Sequence, residues 1–247
     1  MSSTIVLITG GNRGLGQGLV KNFLEQPNHT VIAANRDPSS STSKALSDLP
    51  KGKGTNLILV KYDASIEQDA FSVVKELQQN HGISYLDIVV ANAGYSKNYP
   101  LVKDVKRSDL VELLETNAFG PVSLYQATRD LLQKSEKKPI FAPVGSGAGA
   151  LGRQPPVPNA SYGPSKTVVF WYGVRINAED EWLNSFVLDP GFVQTEMGNV
   201  GARTFGMVEA PITVEDSTGG MYNVLTTATK EKYGGKCVLF TGEVQEW

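Results

Sequence analysis

Apolar positions along this chain follow two rhythms. Short runs rich in β-branched residues alternate with longer stretches in which apolar residues return every three or four positions. The short runs are Thr4–Thr9, Thr30–Asn35, Asn56–Tyr62, Leu86–Ala91, Pro139–Val144, Leu183–Leu188 and Cys237–Phe240. They read as strands, several apolar on both faces as in a parallel sheet. The periodic stretches read as helices. One covers Gln17–Glu25, and one is opened by Asp63-Ala64-Ser65 and runs toward Gln79. A long one covers Leu110–Leu132, with a kink expected at Gly120-Pro121. Another starts where Ser161 can cap and Pro164 falls in the first turn, and another where Thr213 and Asp216 form a capping box. Strands and helices alternate with no long linker and no internal repeat. The expectation is a single α/β domain over residues 1–247, a doubly wound parallel sheet of about seven strands with helices on both faces. Ligands then bind beyond the carboxyl ends of the strands, among loops near 95–100, 147–161 and 191–212.

The chemistry gathers at those strand ends. Gly10-Gly11-Asn12-Arg13-Gly14-Leu15-Gly16 lies between the first strand and the first helix. That is the Rossmann-type setting in which backbone N–H groups and a helix N-terminus hold a pyrophosphate. Arg36 directly follows the second strand, and Asn35 stands where an acid would hydrogen-bond an adenosine ribose. Arg36, with Arg13, therefore favours a 2′-phosphate and NADP; a strand running two residues further would bring Asp37 to that place and reverse the preference. Asp63 either caps the following helix or touches an adenine amino group. Asn92, Ser146 and Gly191 all directly follow strands.

Tyr162 and Lys166 stand four residues apart, one turn of a helix and on one face. An ammonium beside a phenol favours the phenolate, so Lys166 is expected to lower the Tyr162 pKa toward the range of a working acid. Behind them Val169 and Gly173 share the same side, whereas Val168, Trp171 and Val174 point the other way. The second side reads as the partner surface of a homodimer or homotetramer, or as one covered by a neighbouring helix.

Composition narrows the classes. At 40% hydrophobic and 19% charged, with a net charge of −2, the chain is an ordinary globular one, without a basic footprint for nucleic acid or an anionic membrane. No apolar run approaches a membrane span, and no leader precedes the first strand, so a cytoplasmic protein is expected. One cysteine, Cys237, and two histidines in turn-like contexts, His29 and His81, disfavour disulfides, zinc and imidazole chemistry.

Four motifs in order resemble the short-chain dehydrogenase/reductase family along nearly the whole chain. T-G-x-x-x-G-x-G is similar to Thr9–Gly16, N-A-G to Asn92-Ala93-Gly94, Y-x-x-x-K to Tyr162 and Lys166, and P-G-x-V-x-T to Pro190–Thr195. More closely, Leu86–Gly94 and Glu181–Gly198 resemble the fungal norsolorinic acid ketoreductases and the carbonyl reductases grouped with them. The resemblance implies a catalytic tetrad of Asn117, Ser146, Tyr162 and Lys166. Ser146 is the second position of the usual S-S-x-x-G, with Gly145 replacing the first and Gly149 kept, and about three extra residues separate it from Tyr162. The implied cofactor is NADP(H). It would be held by Gly10, Asn12, Arg13, Gly14, Leu15 and Gly16 at the first turn, and by Arg36, Asp63 and Ala64 at the adenosine end. Asn92, Ala93 and Gly94 would follow, then Tyr162, Lys166, Pro190, Gly191, Val193 and Thr195 around the nicotinamide. The implied reaction is ketone reduction, with Asn117 placing a water for proton relay. The substrate would meet Tyr95, Leu151, Val157, Phe192 and Met197, with Tyr99, Phe205 and Met207 nearby; this apolar lining suits an aryl or cyclic ketone. Alcohol oxidation by the same residues and a non-catalytic NADP-binding redox sensor are the rival readings.

Overall fold

Residues 3–247 are described by a computed structural model. In chain order the elements are β1 Thr4–Thr9, α1 Gly14–Leu24, β2 His29–Asn35, α2 Ser41–Lys44, β3 Asn56–Lys61 and α3 Glu67–His81. Next come β4 Ile88–Ala91, α4 Arg107–Leu114, α5 Gly120–Gln133, β5 Ile140–Pro143 and α6 Tyr162–Glu179. The last are β6 Asn184–Ser185, β7 Val187–Asp189, α7 Glu196–Thr204, α8 Val214–Thr227, α9 Lys230–Tyr233, β8 Cys237–Leu239 and β9 Val244–Gln245. The main sheet has the order β3-β2-β1-β4-β5-β6, and all of its pairings are parallel. A smaller sheet, β7-β8-β9, continues beside it, joined by a bridge between Val144 and Leu188.

The period of two in β1 and β2 assigns the faces. Val6, Ile8, Val31 and Ala33 pack with Leu19, Phe23, Met221 and Leu225 of α1 and α8. Ile5, Leu7, Ile32 and Ala34 pack with Val73, Leu77, Leu124 and Ile176 of α3, α5 and α6. Each of the larger side chains among them contributes about 1.5–3 kcal/mol by leaving water. Both faces are therefore committed, and only the strand ends are left for ligands.

Several expected boundaries shift. The sixth run divides at Phe186 into β6 and β7, so Leu183–Leu188 serves both sheets. α1 starts at Gly14, inside the glycine turn, which brings the helix N-terminus closer to the cleft. α3 starts at Glu67, because the Asp63 carboxylate accepts from Ser65 N at 3.0 Å and from the Ser65 hydroxyl at 2.7 Å, closing a turn before the helix. The Leu110–Leu132 stretch is two helices joined by a π-turn, Glu115–Phe119, so the break comes just before Gly120-Pro121. Ser161 is not a cap. Its backbone is already helical, and its hydroxyl is buried and donates to Asn98 O at 2.7 Å, tying the start of α6 to the loop after β4.

Candidate active site

The glycine turn is built by contact distances that leave no room for side chains. A Cβ on Gly16 would lie 2.1 Å from Gly10 O and 2.7 Å from Asn92 Nδ2. Gly10 itself has φ +64, a conformation that other residues rarely adopt. Asn92 Nδ2 donates to Thr9 O at 2.8 Å, and Ala93 N donates to Thr9 Oγ1 at 2.9 Å, so the ends of β1 and β4 are fastened together. On the other side a Cβ on Gly14 would stand 3.3 Å from the Thr195 methyl. Thr195 caps α7 by accepting from Gly198 N at 3.0 Å, which leaves its own proton free to donate. Arg13 and Glu196 form an exposed ion pair at 3.0 Å across the same gap. Leu15 turns its side chain onto the core, so only its backbone faces the turn. The result is a narrow cradle of N–H groups at the start of α1, where the helix dipole favours an anion.

At the end of the sheet where the adenosine is expected, β2 stops at Asn35, so Arg36 follows the strand directly, exposed and without an ion pair among the described residues. Asp37 is occupied elsewhere. Its carboxylate accepts from Ser39 Oγ at 2.6 Å and Ser39 N at 2.8 Å, and these bonds hold its pKa below the usual value. Asn12 Nδ2 donates to Thr42 Oγ1 at 2.8 Å, drawing the glycine turn toward the chain after β2. Ala64 is buried beside Gly120, where a Cβ would lie 2.5 Å from its carbonyl oxygen.

The expected tetrad residues come from three places: a π-turn, the loop after β5, and α6, which carries both Tyr162 and Lys166. Asn117 sits in the π-turn and is buried. Its Oδ1 accepts from Tyr95 N at 2.9 Å, and its Nδ2 donates to Tyr95 O at 2.9 Å and to Ser165 Oγ at 3.0 Å. A π-turn re-aims one side chain within a helix; here it presents Asn117 to the loop after β4 and to α6 together. Ser146 follows β5, and its oxygen accepts from Ala148 N at 3.2 Å. Lys166 is 5% exposed, and its Nζ donates to Val144 O at 2.8 Å. A Cβ on Gly94 would meet Asn117 Oδ1 at 3.0 Å and Lys166 Nζ at 3.5 Å, which brings the N-A-G segment, Asn117 and Lys166 to one point.

The electrostatics differ from the expectation. Tyr162 has its pKa raised by burial, with Asp189 adding to the rise; a hydrogen bond with Ser146 opposes it. Lys166 is pulled down to about 8, again by burial, with Asp189 opposing. Its Nζ is 5.8 Å from the centre of the Tyr162 ring and bonded to a carbonyl. Desolvation therefore outweighs the Ser146 bond, and the phenol keeps its proton at neutral pH. Sequence spacing alone placed the two groups together and gave no sign of how far packing around the half-buried Tyr162 disfavours a phenolate.

The expected substrate residues divide. Tyr99 and Phe205 meet edge to face at 4.8 Å, and Phe192 and Tyr99 both come close to Gly201. Val157 and Met197 are half-buried. Tyr95 directs its hydroxyl to Glu112 Oε1 at 2.7 Å, and burial, with that bond, pushes its pKa up to about 12. Leu151 faces solvent. It is 68% exposed, because the chain beyond Gly149 is drawn to the Trp247 backbone through Gly152 N. Ser165, Asn98, Arg153 and Asp189 hold this edge together and were not singled out by sequence. Asp189 was visible only as part of Asp189-Pro190-Gly191, a turn.

Comparison with known proteins gives a consistent result. Residues 4–203 match the family model described as short chain dehydrogenase. The norsolorinic acid ketoreductase of Dothistroma septosporum is 40% identical over 240 residues, covering 96% of this chain and 89% of that protein. The norsolorinic acid ketoreductase of Aspergillus parasiticus is 36% identical over 241 residues, with coverages of 96% and 89%. Among solved structures, NADPH-bound carbonyl reductase from chicken fatty liver superposes with a TM-score of 0.87 at 24% identity, covering 100% of both chains, a likeness of fold. By family match and by relatives spanning most of its length, this chain belongs to the short chain dehydrogenases, a family of oxidoreductases.

Proposed function

We propose that the protein is an NADPH-dependent ketoreductase that reduces a bulky aryl or cyclic ketone to a secondary alcohol. The observation that carries this reading is the meeting of Ser146, Tyr162, Lys166 and Asn117 at the edge where β1, β4 and β5 end, next to the glycine cradle. The residues fit a nicotinamide dinucleotide: the contacts at Gly10, Gly14 and Gly16 leave room for backbone alone, and Arg36 is free where a 2′-phosphate would stand. Gly10, Asn12, Arg13, Gly14, Leu15 and Gly16 would hold the pyrophosphate, with Arg36, Asp63 and Ala64 at the adenosine. Asn92, Ala93 and Gly94 would take the middle, and Pro190, Gly191, Val193 and Thr195 the carboxamide side, with the Thr195 hydroxyl as donor. When bound, the reduced nucleotide supplies a hydride to the ketone carbon.

The chain's own part is to manage charge on the ketone oxygen. The Ser146 and Tyr162 hydroxyls are preorganised donors aimed where negative charge develops. A Tyr162 that keeps its proton at neutral pH suits this direction of reaction, since the phenol must give that proton to a forming alkoxide. Lys166 would hold the nucleotide ribose and contribute positive charge, and Asn117 would keep the loop at Tyr95 open to a relay water. Tyr99, Phe192 and Phe205, with Val157 and Met197, offer an apolar aromatic wall to the ketone. The norsolorinic acid ketoreductase relatives support ketone reduction, and the NADPH-bound carbonyl reductase supports the cofactor. Trp171, 66% exposed on α6, supports self-association, which sedimentation analysis would read directly.

The test is nucleotide oxidation across a panel of ketones with NADPH and NADH in parallel. Aryl and cyclic ketones should be turned over faster than small polar ones, and NADPH should be preferred. Equal rates across the panel would sink the substrate class, and no turnover of any ketone would sink the reading.

A further inference from the structure

The loop from Ser146 to Tyr162 is anchored on its far side by one guanidinium. Arg153 Nε donates to Glu246 O at 3.0 Å, and its Nη2 donates to Asp189 Oδ2 at 3.4 Å and approaches Cys237 Sγ at 3.9 Å. The neighbouring Gly152 N donates to Trp247 O at 2.7 Å, and the Trp247 ring lies 5.2 Å from Phe170 of α6. Asp189 ends β7 and is 2% exposed, and its other oxygen accepts from Gly191 N at 2.9 Å. One buried carboxylate is thus shared between the turn at Gly191 and the loop that begins at Ser146. The guanidinium also packs under the residue next to Ser146: a Cβ on Gly147 would lie 2.9 Å from Arg153 Nη1. A buried carboxylate needs a cation and filled lone pairs. A planar fork can serve acceptors on separate segments at once, which a lysine ammonium, a point charge on a flexible stem, does poorly.

We propose that Arg153 is a positioning residue for the reaction, joining Asp189 to the 147–161 loop and the Glu246 backbone so that Ser146 and the Gly191 turn keep a fixed spacing. The proposal rests on the ketoreductase reading for its kinetic consequences only. Arg153 reaches no substrate itself and acts through Ser146 and Asp189. It also balances charge. The titratable groups around Lys166 are Tyr162 on its own helix and Asp189 on β7, with Arg153 and Cys237 beside Asp189. Asp189 strengthens the hold of Lys166 on its proton. Removing the guanidinium leaves that carboxylate unopposed, and Lys166 then stays charged to higher pH.

Arg153→Met, Arg153→Lys and Asp189→Asn would be compared with the native protein by NADPH fluorescence titration, ketone reduction as a function of pH, and amide hydrogen exchange over 147–161. For Arg153→Met the expected results are a loss of about tenfold to a hundredfold in kcat/KM, an NADPH Kd within about twofold, and faster exchange over 147–161. Its alkaline limb should move to higher pH, and that of Asp189→Asn to lower pH. Arg153→Lys should restore the limb and only part of kcat/KM; it also carries the test should Arg153→Met fail to fold. Unchanged kcat/KM and exchange would overturn the proposal, as would a loss of activity with the limb unmoved. Were the native protein to reduce no ketone, the function above would fail, while unchanged exchange in the variants would still refute the anchor and faster exchange would uphold it.

Discussion

Lys166→Met is the substitution whose outcome follows most directly from the burial of the cleft. Lys166 is 5% exposed, with its proton affinity pulled down to about 8 from an ordinary 10.5, chiefly by desolvation. At 1.36 kcal/mol per pKa unit, keeping the ammonium charged in the folded state at pH 7 costs about 3 kcal/mol. Methionine cannot donate to Val144 O, and losing that bond costs about 1.5 kcal/mol. Methionine fills similar volume without the charge, so the variant should be more stable than the native protein by about 1–2 kcal/mol. For a chain of this size that is roughly 3–6 °C in Tm. The sign with pH is fixed by linkage. The unfolded chain binds the proton more tightly, so the penalty is fully present below about pH 8 and disappears as pH rises to 10.5. Thermal unfolding of both proteins at pH 7 and pH 10 would show a gap at the lower pH that closes at the higher one, while ketone reduction by the variant collapses. A variant less stable than the native protein at pH 7, with a difference that does not change with pH, would refute the reasoning.

Other outcomes follow from the same geometry. Gly16→Ala forces a Cβ to within 2.1 Å of a backbone oxygen that cannot step aside, so it should cost about 3 kcal/mol or more and abolish nucleotide binding, as calorimetry and fluorescence titration would show. Arg36→Asp should move preference toward NADH by about tenfold or more in kcat/KM, since one charged contact to phosphate amounts to at least 1.4 kcal/mol; an unmoved ratio would mean that Arg13 or another group reads the phosphate. For ketone reduction, kcat/KM should hold from pH 6 to 7 and fall above about 8 as Lys166 loses its charge in the free enzyme, whereas Tyr162, raised by burial, stays protonated throughout. A fall beginning below pH 7 would contradict this.

Features set by local rhythm were legible in the sequence, and those set by distant contacts were not. β1, the glycine turn and β2 follow from apolar runs ending in small residues, and the observed strand ends fall where those runs stop. The strand end at Asn35 also settled whether Arg36 or Asp37 follows it directly, because Asp37 closes its own turn with Ser39. Ser161 had the residue type of a cap, but Asn98, far off in sequence, claims its hydroxyl. The π-turn that carries Asn117 leaves no periodic trace, since it adds one residue to a helix whose apolar face continues. The Tyr162–Lys166 spacing was readable, whereas the direction of the Tyr162 shift depends on how completely neighbouring loops exclude water. Leu151 was apolar and in the right loop, yet Gly152 and Arg153 draw that loop toward Glu246 and Trp247 and leave Leu151 in solvent.

The central claim is that the Tyr162 hydroxyl gives the proton that completes ketone reduction. Single-turnover reduction by Tyr162→Phe, measured beside its NADPH affinity, tests it most directly. The account predicts nucleotide binding within about twofold of the native protein and a chemical step slowed by about 10²- to 10⁴-fold, the usual worth of a positioned acid. A chemical step at the native rate in a folded, NADPH-binding variant would contradict it.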